Sequence, residues 1–350
     1  MFERLNCLNL DDQIVVLPDF FMDRIVKFES KNKLIELVDF KTRFGGGSVR
    51  GIGTVDIKGG NAVNVAYCLA KFGLSVNLFT IANEIGSAIL QKIFSKFGNK
   101  VELHISRGKH GITTSLEFED KESTANIMIS DVGDIENYGA DRISAAEDLE
   151  KIRSAKCVIL TNWASNLKGT ELAMHVFKNS TNALHFIDPA DIDARREEFR
   201  DALKIIGKYT DVLSINENES NSLTNALGSG SVLLKDPTNI DLIKSVAKMI
   251  SNEFGFEVDL HTRTGSAWSD GKETIFEPAF SVKVHTLTGS GDCWDAADVI
   301  GYLANLPPHE RLLLSNACSA LYIQSKSFES PSMEDLLQFS NRSNNSIFRK

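Results

Sequence analysis

The sequence predicts an α/β protein of three layers, in which helices cover both faces of a mostly parallel sheet and a small β-sheet forms a lid. Beyond residue 145, short apolar strand candidates alternate with helical segments, and this alternation favours a parallel sheet buried on both faces. Two β-like runs at 112–118 and 124–129 flank a charged turn, which is typical of a hairpin. The hairpin and the early β segments do not fit the alternation, and they predict the lid.

The elements of the first third follow from apolar runs and glycines. Extended apolar segments are predicted at 14–17, 25–28, 33–40, 76–82 and 101–105, with a helix at 85–97. A further helix follows Gly59–Gly60, because Asn61 is a suitable N-cap and Gly73 stands where a C-terminal glycine belongs. These segments predict two helix–strand units.

The later elements alternate more regularly. Strands are predicted at 157–161, 184–187, 212–215, 258–261 and 281–285. Helices are predicted at 145–153, 168–178, 195–206, 217–226, 239–253, 291–304 and 309–323. Residues 1–340 are therefore expected to form a single domain, with the lid mainly from about 14–45 and 110–130. The polar stretch 341–350 is expected to be a frayed tail.

Composition excludes several classes of function. The net charge of −9 argues against a broad surface for nucleic acid or anionic lipid, although a local phosphate pocket remains possible. No long apolar run predicts a transmembrane helix, so we expect no membrane partner, and the N-terminus lacks the pattern of a signal peptide. Five widely spaced cysteines without a CxxC pair favour reduced thiols in a cytoplasmic protein.

The strongest local signal is the run TGSGD at 288–292, which lies at the start of a predicted helix. Amides at a helix start attract anions, and the glycines allow a phosphate to approach the backbone. Asp292 in the first helical turn could accept a proton from an attacking hydroxyl while those amides stabilise a phosphoryl group. A tight turn with Asp292 interacting only with the helix dipole is the alternative.

Four weaker signals accompany it. The run GGNAVN at 59–64 would let a ligand approach and hydrogen-bond with Asn64, or it is only a capped turn. Asn216 and Glu219 follow a strand and share a helical face, so they could hold a hydrated Mg²⁺ against phosphates, or they are ordinary acidic residues of a helix start. Asp188 to Asp191 at a strand end, and Asp19 and Asp23 between apolar segments, are weak alone. His261 and His285 lack zinc-binding spacing and are expected to be structural.

Taken in order, these segments resemble the PfkB, or ribokinase-like, family of carbohydrate kinases. GGNAVNVAYCLAKFG at 59–73 resembles the first family signature and TGSGD the second, while Asn216 and Glu219 match the NxxE motif. The resemblance covers about 14–335 and implies transfer of a nucleotide phosphoryl group, with Mg²⁺, to a hydroxyl of a sugar or nucleoside. It implies Asp292 as general base and the amides of Gly289, Ser290 and Gly291 as an anion hole.

The resemblance also implies the binding residues. Asp23, Gly60 and Asn64 would bind the acceptor, and Glu219 would bind Mg²⁺ through water. The residues implied for the nucleotide are Asn216, Thr262, Gly265 and Asn316. His285 stands where the family has an aspartate, which leaves open whether the protein has the monovalent-cation loop of some family members. The loop after His261 lacks the usual second glycine, which leaves open ATP or another donor, including a diphosphate.

A free carbohydrate is the expected acceptor. A nucleoside would require an aromatic partner, for which Phe20, Phe21 and Phe44 are candidates. A sugar phosphate would require a basic cluster, for which Arg43, Arg50 and Lys58 are candidates. A non-catalytic ligand-binding protein of the same fold is the other class of function. Because lid sheets with exposed edges tend to be covered, a homodimer through the lid is expected.

Overall fold

A sheet of nine strands forms the centre of the structure, a computed structural model that describes residues 4–5, 8–119 and 124–343. The strands of this sheet are β1 (Gln13–Leu17), β4 (Ser75–Ala82), β5 (Val101–Arg107), β8 (Cys157–Thr161), β9 (Leu184–Asp188), β10 (Val212–Asn216), β11 (Glu257–Thr262), β12 (Gly265–Ser269) and β13 (Thr274–Pro278). Their order is β13-β12-β11-β10-β9-β8-β1-β4-β5. The seven strands from β11 to β5 run parallel, and the antiparallel pairs of this sheet are β11 with β12 and β12 with β13.

A second sheet of four strands covers one end of the first. Its strands are β2 (Phe21–Phe28), β3 (Gly53–Gly59), β6 (Gly111–Glu119) and β7 (Thr124–Asp131), in the order β3-β2-β6-β7. The hairpin predicted around 112–129 is confirmed as the antiparallel pair of β6 and β7. The charged turn predicted between them lies largely outside the described residues.

Helices cover both faces of the large sheet, as the sequence predicted. The described helices are α1 (Lys31–Arg43), α2 (Asn61–Lys71), α3 (Glu84–Phe94), α4 (Ala146–Ser154), α5 (Gly169–Asn179), α6 (Arg196–Ile206), α7 (Glu217–Ala226), α8 (Ile240–Phe254), α9 (Ser290–Leu303), α10 (Pro308–Ile323) and α11 (Met333–Ser343). None of them is long and apolar enough to cross a bilayer.

The two faces of the sheet bury separate cores. In β1, Ile14 and Val16 pack with α2, α9 and α10, whereas Val15 and Leu17 pack with α4 to α8 on the opposite face. This alternation follows the two-residue period of a strand, and all four side chains are fully buried. The expected three-layer α/β/α architecture is therefore confirmed.

The lid differs from its predicted composition. Residues 14–17 belong to the large sheet, and the third lid strand, β3, was not predicted. The segment 33–40, predicted as extended, lies inside α1, where the Ser30 side chain caps the helix by accepting a hydrogen bond from the Lys33 amide at 3.2 Å. None of the α1 side chains is buried. The apolar residues of α1 therefore do not follow the helical spacing of a face packed on the core, and the prediction from that spacing was wrong.

Other elements also differ from the prediction. The strand predicted at 281–285 is irregular, because the His285 amide bonds to the carbonyl of Ile323 at the end of α10. The hairpin of β12 and β13 and the helix α11 were not predicted. Asn61 is the first residue of α2 and not its N-cap, a position held by Gly60. The predicted tail beyond residue 343 lies outside the described residues.

Candidate active site

Two adjoining cavities lie at the carboxyl ends of the parallel strands, where ligands bind in open α/β sheets. The first, of about 440 Å³, is enclosed by the lid and is called the lid cavity. The second, of about 690 Å³, is bordered by the turn between β11 and β12 and by α9 and α10, and is called the hairpin cavity. Asn216, His261 and Gly291 line both, so the cavities meet at these residues.

The first turn of α9 lies at this junction. Gly289 is the N-cap with φ +86°, and a Cβ at this position would lie 2.7 Å from the Tyr322 hydroxyl, so only glycine fits. Gly289 and Gly291 line the lid cavity, while Ser290 and Gly291 line the hairpin cavity. The start of a fourteen-residue helix, whose free amides favour negative charge, therefore lies between the two cavities.

Asp292 is buried in the same turn and lines the lid cavity. Burial raises the pKa of Asp292 well above its usual value, and the negative charge of Asp188 raises it further. A hydrogen bond from Asn64 Nδ2 to Asp292 Oδ2, at 2.8 Å, opposes this rise. Asp292 is therefore a carboxylate that favours taking up a proton, which is the property required of a general base.

Lys58 fixes the orientation of Asn64. Lys58 Nζ donates a 2.7 Å hydrogen bond to Asn64 Oδ1, so the amide nitrogen of Asn64 is turned toward Asp292. The ammonium also lies 4.4 Å from the centre of the Tyr67 ring, and burial lowers the pKa of Lys58. Lys58 therefore supports Asn64, and it is not among the residues that line the lid cavity.

The start of α2 forms another wall of the lid cavity. Asp19 accepts hydrogen bonds from the amides of Asn61 at 2.8 Å and Ala62 at 2.9 Å, so it holds this helix end. Gly60 has φ +91°, and a Cβ there would meet the backbone of residues 19–21 within 2.9 Å. The structure thus assigns Asp19 a structural role, which sequence reasoning left undecided.

Asp23 lies on β2 and faces the lid cavity, together with Gly60 and Asn64. Burial raises the pKa of Asp23 to about 6, and the charge of Asp19 adds to the rise. A hydrogen bond from Thr113 and the charge of Lys58 act in the opposite direction. The three residues predicted to bind the acceptor are therefore brought to one cavity, with Asp292 beside them.

Acidic groups cluster on the side of the lid cavity formed by β9 and β10. Glu219 accepts hydrogen bonds from the backbone amide of Asn216 at 2.8 Å and from its side chain at 2.7 Å, which makes a capping box for α7. Asp188 accepts from the Asn61 side chain at 3.0 Å. Burial raises the pKa of both carboxyls, and the charge of Asp188 further raises that of Glu219.

These residues fit a magnesium ion held partly through water. Within the described part of the chain, no group of three or more His, Cys, Asp or Glu side chains is arranged to hold a metal directly. The available donors are carboxylate and amide oxygens, which Mg²⁺ prefers. Burial disfavours the charged forms of Asp188 and Glu219, and a divalent cation beside these carboxyls would favour them.

Not all of the residues predicted for the nucleotide lie in the hairpin cavity with side chains that are free to bind. Thr262 and Asn316 line the hairpin cavity, as does Asn216. The side chain of Asn316 is, however, occupied by protein partners, because it accepts from Trp294 Nε1 at 2.9 Å and donates to the Glu277 carbonyl at 3.0 Å. Gly265 lines neither cavity. It begins β12, and its backbone is crowded against β13.

Two more residues, Arg263 and His261, line the hairpin cavity. Arg263 belongs to the stretch from Thr262 to Gly265 that the resemblance implies for the nucleotide phosphates, and its backbone amide donates to Glu217 Oε1 at 2.8 Å. His261 lines both cavities, although it was expected to be structural. The signal that would have found His261 is its register, because it is paired with Asn216 across β10 and β11.

Comparison with known proteins identifies the family and the fold. Residues 22–335 match the model of the pfkB family carbohydrate kinases. A search of curated proteins finds no match. Among solved structures, ribokinase from Arabidopsis thaliana, complexed with ribose and ATP, superposes with a TM-score of 0.70 at 20% identity, covering 94% of this chain and 99% of the other.

Two further structures have the same fold. Adenosine kinase from Sinorhizobium meliloti has a TM-score of 0.71 at 15% identity, covering 96% of this chain and 99% of the other. Phosphofructokinase-2 from Escherichia coli has a TM-score of 0.69 at 16% identity, with coverages of 96% and 100%. The family match spans most of the chain, and the chain therefore belongs to the pfkB family of carbohydrate kinases, which are phosphotransferases.

Proposed function

We propose that the protein transfers the terminal phosphoryl group of ATP to a hydroxyl of an uncharged sugar bound in the lid cavity. The observation that carries this proposal is the position of Asp292. This residue lies in the first turn of α9, which separates the two cavities, and it faces the lid cavity. An acceptor hydroxyl beside Asp292 would meet a nucleotide phosphate arriving from the hairpin cavity.

Each residue of the site has its own role in this reaction. Asp292 takes the proton of the acceptor hydroxyl as the hydroxyl oxygen bonds to the terminal phosphorus of ATP. The bond between that phosphorus and the bridging oxygen breaks, and ADP leaves. The amides of Gly289, Ser290 and Gly291 stabilise the charge on the transferring group. Magnesium, which Glu219 and Asn216 would hold through water, supplies neutralisation of the phosphate charge. Asp23, Gly60 and Asn64 orient the acceptor.

The charge of the lid cavity supports a neutral acceptor. Of the described residues that line it, none is a lysine or arginine, whereas Asp23, Asp188, Asp191, Glu219 and Asp292 are acidic. A phosphorylated acceptor would bring an anion into this group without a basic partner, which costs binding energy. Of the basic residues considered, Lys58 is bonded to Asn64, whereas Arg43 and Arg50 are exposed.

A nucleoside is the second candidate, because Phe21 contributes an aromatic ring to the wall of the lid cavity. The other aromatic candidates do not reach it. Phe20 is buried and stacked on His110 at 5.1 Å, and Phe44 is 73% exposed. A single aromatic side chain on one wall gives a nucleobase less stacking contact than two aromatic side chains would. A sugar therefore remains the first proposal for the acceptor.

The test is a phosphotransfer screen with Mg·ATP, Mg·GTP and Mg·ADP against pentoses, hexoses, inositols, nucleosides and sugar phosphates, with and without K⁺. We expect turnover of an unphosphorylated sugar with ATP and its loss when Mg²⁺ is chelated. Turnover confined to sugar phosphates would contradict the charge argument. Saturable sugar binding without any phosphotransfer would favour a non-catalytic binding protein.

A homodimer through the lid remains part of the proposal. Ile127 and Ile129 of β7 are 51% and 60% exposed on the lid, and Val55 of β3 is 45% exposed. Apolar side chains on the edge strands of a small sheet favour association with another copy. Light scattering at micromolar concentration should give the mass of a dimer, and a monomer would contradict it.

A further inference from the structure

His261 occupies the passage between the two cavities. It is near the end of β11, paired in register with Asn216 of β10 and with Ser266 of β12. Besides Asn216 and Gly291, it is the one described residue that lines both cavities. Any phosphoryl group that moves from a donor in the hairpin cavity to an acceptor in the lid cavity must therefore pass close to it.

The ring of His261 is held in place from two sides. It stacks on Trp294 with ring centres 5.1 Å apart and planes 29° from parallel. Trp294 is itself fixed, because its Nε1 donates to Asn316 Oδ1 at 2.9 Å. A Cβ on Gly291 would lie 3.5 Å from His261 Cε1 and 3.9 Å from Nε2. The edge of the imidazole thus lies against the first turn of α9.

The hydrogen-bonding capacity of this ring is unused. Among the described residues, none makes a hydrogen bond to either ring nitrogen; the ring contact is the stacking on Trp294. An imidazole has at least one N–H donor in either protonation state, so the ring has a donor free for a ligand. The charged groups on the same cavity walls include Asp292, Glu219 and Arg263.

We propose that the ring N–H of His261 donates a hydrogen bond to the terminal phosphoryl group of the nucleotide as that group passes between the cavities. This inference rests on the proposed phosphotransfer. The amides at the start of α9 would contact the phosphoryl group from one side, and the imidazole beside Gly291 would contact it from another.

Two substitutions distinguish the contribution of the N–H donor of His261 from the contribution of its aromatic ring. His261→Phe keeps a ring that can stack on Trp294 and removes the N–H, whereas His261→Gln keeps an N–H near the position of Nε2 and removes the ring. We expect kcat of the Phe variant to fall about 10- to 100-fold, with the acceptor KM changed less than about threefold. The Gln variant should recover about tenfold of that loss.

The result that would overturn the inference is a Phe variant with kcat within about twofold of the unsubstituted protein. Equal losses in the Phe and Gln variants would also overturn it, because the loss would then follow the ring and not the donor. Melting temperatures of both variants without ligand serve as the folding control. If the role of His261 were purely structural, the Phe variant would have a lower melting temperature, and its kcat would not fall while its acceptor KM stayed nearly constant.

A second measurement does not depend on the identity of the acceptor. Calorimetric titration with Mg²⁺ and the β,γ-methylene analogue of ATP, and in parallel with Mg·ADP, tests the contact on the donor side. We expect His261→Phe to weaken binding of the triphosphate analogue several-fold and to leave that of ADP unchanged. If the unsubstituted protein and His261→Phe bound the triphosphate analogue with the same affinity, and likewise Mg·ADP, this inference would be overturned but the proposed function would not. Absence of nucleotide binding by the unsubstituted protein would overturn the proposed function with it.

Discussion

Replacement of Asp23 by asparagine should stabilise the protein at neutral pH while it weakens acceptor binding. Asp23 is buried on β2 and faces the lid cavity, and burial and the charge of Asp19 raise its pKa from 3.8 to about 6. The folded protein therefore disfavours the ionised carboxyl, although that form is the one that accepts hydrogen bonds from a sugar diol. An asparagine side chain at this position would avoid the cost of ionisation and lose the stronger acceptor.

The magnitude follows from linkage between proton binding and folding. Because the pKa of Asp23 is raised in the folded state, its stabilising contribution is full below about pH 3.8 and is lost as the pH rises through 6. Ionising it at a pH well above 6 costs about 3 kcal/mol of unfolding free energy. Between about pH 5 and pH 7.5 the contribution of Asp23 should fall by about 1.4 kcal/mol.

The assay is urea unfolding of the unsubstituted protein and of Asp23→Asn at these two pH values. The stability of the variant relative to the unsubstituted protein should rise by about 1.4 kcal/mol from the lower to the higher pH. Asp56→Asn on the neighbouring strand β3 is the matched control. Asp56 is exposed and its pKa is lowered by Arg24, so its pH effect should be small and of the opposite sign.

Activity gives the other half of this test. In the unsubstituted protein the acceptor KM should rise as the pH falls below about 6, because protonated Asp23 accepts hydrogen bonds less well. The KM of Asp23→Asn should be high and independent of pH in this range. A stability difference that does not change with pH, or a variant with an unchanged KM, would refute the reasoning.

Three further predictions concern the walls of the two cavities. Asn64→Ala removes the 2.8 Å hydrogen bond to Asp292, so the pKa of Asp292 should rise further and the acidic limb of the kcat profile should shift to higher pH. Gly60→Ala should lower the melting temperature by several degrees, because its φ is +91° and its Cβ would meet backbone; Gly53→Ala, which has open space around it, is the control and should change little. Arg263→Ala should raise the donor KM about fivefold and leave the acceptor KM unchanged.

Much of the fold could be predicted because its elements carry local signals. The parallel strands are short buried apolar runs, and the run TGSGD and the pair Gly59–Gly60 mark two helix starts that the structure brings together. Asn64 and Asp292 are 228 residues apart in the sequence and 2.8 Å apart in space. Their proximity follows from the packing of α2 against α9 on one face of the large sheet, a tertiary contact that brings the two helix starts together.

The remainder could not be predicted because it depends on tertiary contacts. Gly265 looked like a phosphate-binding glycine, but its backbone conformation is required by the close pairing of β12 with β13. Asn316 looked like a nucleotide contact, but Trp294 and Glu277 use its hydrogen bonds. The role of Lys58 depends on a lid strand that has no clear pattern in the sequence. No local pattern distinguishes such positions from ordinary loop and helix residues.

The central claim is that Asp292 is the general base of phosphotransfer. Its matched control is Asp295, one turn later on α9, which is also buried, accepts a 2.5 Å hydrogen bond from Ser214 Oγ and lines neither cavity. Burial raises the pKa of both carboxyls, so a neutral asparagine should be tolerated by the fold at either position.

The most direct measurement is therefore kcat of Asp292→Asn and Asp295→Asn with the best acceptor of the screen, together with the acceptor Kd of each by calorimetry. We predict that Asp292→Asn lowers kcat by about 10²- to 10⁴-fold while binding of the acceptor is retained, and that Asp295→Asn changes kcat by less than about tenfold. An Asp292→Asn variant with a near-normal kcat, or equal losses in both variants, would contradict the account.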